Sequence, residues 1–130
     1  MERIKVSSQG APAPVGAYSQ ALIFKDIVIT SGQIGIDPGT GVIAGDAAAQ
    51  TEKCLDNLEA VLSEAGSGLD GILRINLYIT DMSDFDLINT VYGRRLDEPY
   101  PARSTIEVSA LPKGALVEID AIAVRRRSRP

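Results

Sequence analysis

Residues 115–124, ALVEIDAIAV, read as a β-strand that is apolar on both faces apart from Glu118 and Asp120. Side chains alternate across a strand, so one wet face would leave a polar residue at every second position. This strand must therefore be covered on both sides. A length of 130 residues predicts a single domain, 1–130, with one sizeable core and no room for a second. Helices on one side leave the other face to be buried by association, so the expectation is a homo-oligomer.

The rest of the chain supplies the covering helices. A helix is predicted over 46–65, capped by Asp46 and stopped by Gly66, with Cys54, Leu58, Val61, Leu62 and Ala65 on one face. Cys54 on that stripe reads as core packing. A second helix is predicted near 85–96, ending before Pro99. ALIFKDIVITSGQIG reads as two β-branched strands turning near Lys25 and Asp26, and QGAPAPVGAYSQ as an extended, proline-punctuated segment. In GILRINLYIT, Leu73, Ile75, Leu77 and Ile79 are predicted to face the core. Ile72, Arg74, Asn76 and Tyr78 share the other face, open to solvent or to another subunit. The order is β-β-α-β-α-β-β, an α+β domain with both helices on one face of the sheet.

Composition removes several chemistries. The chain has no histidine, which excludes Ser-His-Asp and Cys-His nucleophile activation, histidine metal ligands and paired-histidine RNA cleavage. A single cysteine excludes an internal disulfide and a multi-cysteine metal site. There is neither a GxxxxGK[ST] phosphate loop nor a GxGxxG fingerprint. Net charge is −4, and without the four arginines of the terminal RRRSRP the body would stand at −8. An acidic body makes broad nucleic-acid binding a poor expectation, and the Arg-rich tail reads as a solvated end. No apolar run reaches the roughly 20 residues of a membrane span, and Met1 leads into polar residues, so no membrane partner and a soluble, cytoplasmic chain are expected.

What remains is Arg103 and Glu118, charged residues in strands where charge is seldom buried unless paired or used. If SALPKG forms the whole loop of a hairpin, Val108 pairs with Ala115, Thr105 with Glu118 and Arg103 with Asp120. Cross-strand partners lie about 5 Å apart on one face, so these four would make one polar cluster. Two readings stay open. Arg103 could be a structural ion-pair partner of Asp120 or Glu118. Alternatively, its guanidinium clamps a small carboxylate while Glu118 positions or deprotonates a water that attacks the neighbouring carbon.

VGAYSQA, SGQIGIDPGTG, NLEAVLSEAG, INLYITDMSDF, Asn89 followed by Val91-Tyr92, YPARS and VEIDAIA occur here in one order. In that order and spacing, from about residue 15 to 124, the chain resembles the RidA-like reactive imine deaminases. These are also called YjgF-like proteins and, by an older label, endoribonuclease L-PSP. The resemblance implies a chorismate-mutase-like fold, with three subunits closing their sheets into a central barrel and ligand clefts between neighbours. It also implies cofactor-free hydrolysis of 2-imino acids (2-iminopropanoate, 2-iminobutanoate) and their enamines to 2-oxo acids and ammonia.

Carried over by position, Arg103 would clamp the substrate carboxylate and Glu118 would hold or activate the water. Tyr18 would line the cleft with its hydroxyl near the imine. Ser31 and Gly32 match a loop that contributes hydroxyl and backbone contacts, and Asn89 matches a cleft asparagine. Thr105 stands two residues after the arginine, where many members have cysteine. If that cysteine acts through its backbone, threonine can replace it; if its side chain shapes the pocket, substrate range differs. Leu96 replaces a common phenylalanine, a matter of pocket or core volume. The resemblance leaves two rivals, an endoribonuclease or translation inhibitor, and a non-catalytic trimer that holds a small carboxylate.

Overall fold

The structure is a computed structural model and describes residues 2–126. Its strands are β1 (Ile4–Val6), β2 (Ala21–Phe24), β3 (Ile27–Thr30), β4 (Gln33–Ile34), β5 (Ile72–Ile79), β6 (Ala102–Glu107) and β7 (Val117–Val124). They form one seven-stranded sheet in the order β1-β2-β3-β7-β5-β6, with β4 paired to β7 beside that path. Helix α1 (Ala47–Glu64) starts at Asp46, whose carboxylate accepts a hydrogen bond from the Ala49 amide. It ends at Ala65, followed by Gly66 at φ +81°. Helix α2 is Phe85–Arg95. Both helices were legible from periodicity and caps; the two short strands β1 and β4 were not.

The core lies between the helices and one face of the sheet. Leu55, Leu58, Val61 and Leu62 of α1 and Ile88 and Tyr92 of α2 join Ile75, Leu77, Ile79, Val117 and Ile119 in one buried cluster. Cys54 belongs to it, fully buried, as its place on the helix stripe predicted. Leu96 is buried in the same cluster, a matter of core volume. Arg95 ties the two helices together, 2.9 Å from Asp56 and 3.3 Å from Glu52.

Two expectations are corrected. The first concerns SALPKG, which is not a hairpin loop. Strand β6 runs parallel to β5, and β7 runs antiparallel to β5 on its other side, so β5 separates the two. The segment between them passes over the end of β5, where Val108 N–H donates to Ile79 and Thr80 N–H to Leu116. Its physical origin is the β5-α2-β6 crossover, which returns β6 parallel to β5 at the sheet edge. Apolar β7 is left to fill the central position.

A bulge in β5 makes the second correction. Ile72 pairs with Ala123 and Arg74 with Ile122, which leaves Leu73 unpaired between them. Alternation slips by one residue there, so Ile72 is buried while Leu73 is 51% exposed. In the tail, Arg127 and Arg129 lie outside the described residues, while Arg125 and Arg126 are exposed, in keeping with a solvated end, and also bond to the fold. Arg125 N–H donates to Asp26, and Arg126 reaches Gly66, the Ser67 carbonyl and, at 2.9 Å, Asp70.

The face of the sheet away from the helices carries Glu118, Asp120, Ile122 and Val124 of β7 beside Arg74, Asn76 and Tyr78 of β5. All seven are partly exposed within one chain. Among the described residues no helix is long and apolar enough to cross a membrane.

Candidate active site

Register decides where the two charged residues go. Arg103 is the partner of Ile75 and Thr105 of Leu77, both core residues, so Arg103 and Thr105 point to the helix face at the sheet edge. Glu118 is the partner of Tyr78 and of Ile34, and Asp120 of Asn76, on the opposite face. The predicted cluster of Arg103, Thr105, Glu118 and Asp120 therefore does not form within one chain. Neither does the structural ion pair: among the described residues no carboxylate lies within ion-pair distance of Arg103.

Arg103 instead belongs to a cavity of about 440 Å³ lined by Asn89, Tyr92, Gly93, Tyr100, Pro101 and Arg103 itself. Its Nη1 donates to Asn89 Oδ1 at 2.8 Å. Its guanidinium carbon lies 4.7 Å from the centre of the Tyr92 ring and 5.5 Å from that of Phe85. Phe85, Asn89 and Tyr92 recur at i, i+4 and i+7, so helix α2 presents all three to the arginine on one stripe. Stacking and one hydrogen bond fix the guanidinium plane while charge is left for an anion. Sequence reasoning found Arg103 and Asn89 but missed the two rings, although their helical spacing was a usable signal.

Glu118 lines a second cavity, of about 380 Å³, together with Tyr18, Gly32, Gln20, Asp37 and Lys113. Burial, and then the charge of Asp120, push the Glu118 carboxyl above the ordinary glutamate value. Gly32 permits this arrangement: a Cβ on it would lie 2.6 Å from Glu118 Oε2. Tyr18 is half exposed, and its hydroxyl accepts a hydrogen bond from the Val15 amide at 3.3 Å. Ser31 acts on that loop from below. Its hydroxyl donates to the Ser19 carbonyl at 2.6 Å and its amide to the Gln20 carbonyl, so it braces the segment carrying Tyr18. Thr105 is half-buried on the Arg103 face and lines neither cavity.

The candidate residues thus fall into two groups on opposite faces of one sheet: Arg103 with Asn89, and Glu118 with Tyr18 and Gly32. Cys54 joins neither. Its thiol donates to the Val117 carbonyl at 3.6 Å, and burial first, then the Glu118 charge, push it far above the ordinary thiol range. A thiol so raised is no nucleophile. Among the described residues no three His, Cys, Asp or Glu side chains gather as a metal site.

An α+β sheet of this order, helices on one face and polar clefts at its edges, is a known architecture. The family described as Endoribonuclease L-PSP matches residues 8–125. A RutC family protein of Pyrococcus abyssi is 40% identical over 126 residues, covering 96% of this chain and 99% of that protein. The 2-iminobutanoate/2-iminopropanoate deaminase of Salmonella typhimurium is 40% identical over 124 residues, covering 93% of this chain and 97% of that enzyme. The crystal structure of RidA from an Antarctic Psychrobacter superposes with a TM-score of 0.91 at 41% identity, covering 93% of this chain and 98% of that one. The chain belongs to the endoribonuclease L-PSP (YjgF/RidA) family and has its chorismate-mutase-like fold.

Proposed function

We propose that the protein is a homotrimeric deaminase that hydrolyses reactive 2-imino acids to 2-oxo acids and ammonia, and that neighbouring copies assemble its site. One observation carries this reading. Arg103 and Glu118 occupy separate cavities on opposite faces of the sheet, neither neutralised by the other. An anion clamp and a raised carboxyl are complementary chemistry, and they can meet only if the Arg103 edge of one copy docks against the Glu118 face of the next. The partly exposed Ile122 and Val124 beside Glu118 give that face apolar area to bury. The deaminase name carried by a relative 40% identical supports the reaction.

The substrate has a carboxylate next to a C=N carbon. Arg103, its plane set by Asn89 and Tyr92, takes the carboxylate by two parallel hydrogen bonds. Gly32 on the other face completes the wall beside Glu118. The protonated imine is already electrophilic, so the protein must orient it and deliver one water. Glu118 accepts a proton from that water as its oxygen bonds to the imine carbon, giving a carbinolamine. It returns that proton to the nitrogen, with the Tyr18 hydroxyl beside it, then takes the carbinolamine O–H proton as the C–N bond breaks and the carbonyl forms, and passes it to solvent. Ammonia leaves and the 2-oxo acid remains. A carboxyl held above its usual value suits both halves of this exchange, since it accepts and releases protons closer to neutrality.

The test is ammonia release from 2-iminopropanoate generated in place by an amino-acid oxidase. Acceleration by catalytic amounts of the protein supports the proposal. A rate equal to spontaneous hydrolysis, from a protein that still binds 2-oxobutanoate, would leave it a carboxylate-binding protein.

A further inference from the structure

Around Glu118 lies a network that the proposed reaction has not yet used. Asp120, two residues along β7, points to the same face, and Asn76 Nδ2 donates to its Oδ1 at 2.8 Å. Tyr78, the cross-strand partner of Glu118, is turned to it as well. Burial, the Asp120 charge, a hydrogen bond to Asp120 and the Glu118 charge together keep the Tyr78 phenol protonated. Asn76, Tyr78 and Asp120 therefore hold a negative charge beside Glu118 from a rigid strand pair. We propose that Asp120, fixed by Asn76 on the sheet face it shares with Glu118 and Tyr78, is a positioning residue that acts on the reaction through Glu118. This rests on the deaminase reading above and deepens it.

Other groups facing Glu118 do not supply this effect. Asp37 lines the same cavity but has Lys53 Nζ 3.8 Å from its carboxylate. Lys113 at the cavity wall has the opposite sign and would act in the opposite direction. Tyr18 contributes a phenol, and the Cys54 thiol lies under the other face of β7, kept neutral by burial. Burial and Asp120 are what raise Glu118. A like charge two residues away on a strand, in partial contact with solvent, is a standing repulsion that protonation of Glu118 relieves.

The experiment compares the trimer with its Asp120→Asn form, which keeps shape and can still pair with Asn76. ¹³C NMR of the glutamate carboxyls, with Glu118 assigned by its loss in Glu118→Gln, reads the Glu118 titration without any assay of turnover. In Asp120→Asn the Glu118 midpoint should move to lower pH, and Asp120→Glu should restore it. In the pH–rate profile the acid limb should move the same way, kcat on the plateau falling about two- to tenfold with KM unchanged, a small part of what a general base supplies. An unmoved Glu118 midpoint overturns the assignment of Asp120. A lowered midpoint with an unchanged pH–rate profile upholds the electrostatic effect but overturns its step into catalysis, and with it Glu118 as the base.

Discussion

A single methyl group at Gly32 separates the position of Glu118 from its identity. The backbone there needs no left-handed conformation, so alanine is tolerated locally. The added Cβ would lie 2.6 Å from Oε2, 2.7 Å from Cδ and 3.0 Å from Cγ of Glu118. Ordinary contact begins near 3.4 Å, so the carboxylate must withdraw by about 0.8 Å (3.4 minus 2.6). A glutamate can do so by changing rotamer, at about 0.5–1.5 kcal/mol, so the fold survives. Catalysis does not tolerate the shift, because a misplacement of about 1 Å costs on the order of 10²-fold in rate. Gly32→Ala should therefore lower kcat by about that factor and leave binding of 2-oxobutanoate to Arg103, measured by calorimetry, within a few fold. A full kcat in a folded Gly32→Ala protein would refute the claim that Glu118 acts from the position seen here.

Arg103→Lys keeps the charge but loses the planar fork and its stacking on Tyr92, so affinity for 2-oxobutanoate should fall by about 1–3 kcal/mol in the same calorimeter. Glu118→Gln should gain thermal stability at neutral pH. Because folding raises the Glu118 pKa, its charged form opposes folding, a penalty that grows as pH rises through the folded value and is fully present above it. Melting temperatures followed against pH should show this gain above the folded value and its disappearance below the ordinary glutamate pKa. Cys54→Ala should cost about 1–2 kcal/mol in denaturant unfolding from lost packing while kcat stays at the wild-type level.

The helices and their caps were open to sequence reading because Asp46, Gly66 and the apolar stripe of α1 encode local geometry. Strand partners were not. SALPKG has the length and turn residues of a hairpin loop, and nothing local says that β5 lies between β6 and β7. That one pairing decided whether Arg103 faced Asp120 or the rings of α2. The bulge at Leu73 was hidden for the same reason, since an extra residue in a strand shows only against its partner. The resemblance identified Arg103, Glu118, Tyr18, Gly32 and Asn89, and the structure places each at a cavity wall. It put Ser31 among the contact residues, whereas the Ser31 hydroxyl serves the loop backbone, and it did not reveal the network of Asn76, Tyr78 and Asp120.

The central claim is that Arg103 of one copy and Glu118 of another serve the same substrate. Mixing two inactive variants tests it directly: Arg103→Ala and Glu118→Gln chains, unfolded together in equal amounts and refolded into mixed assemblies. If each site takes its arginine from one subunit and its glutamate from the next, random assembly leaves about a quarter of the sites with both residues intact. Ammonia release from 2-iminopropanoate should then recover to about a quarter of the wild-type rate, from two proteins that are each inactive alone. If the mixed assembly forms and stays as inactive as its parents, the site does not join these two faces.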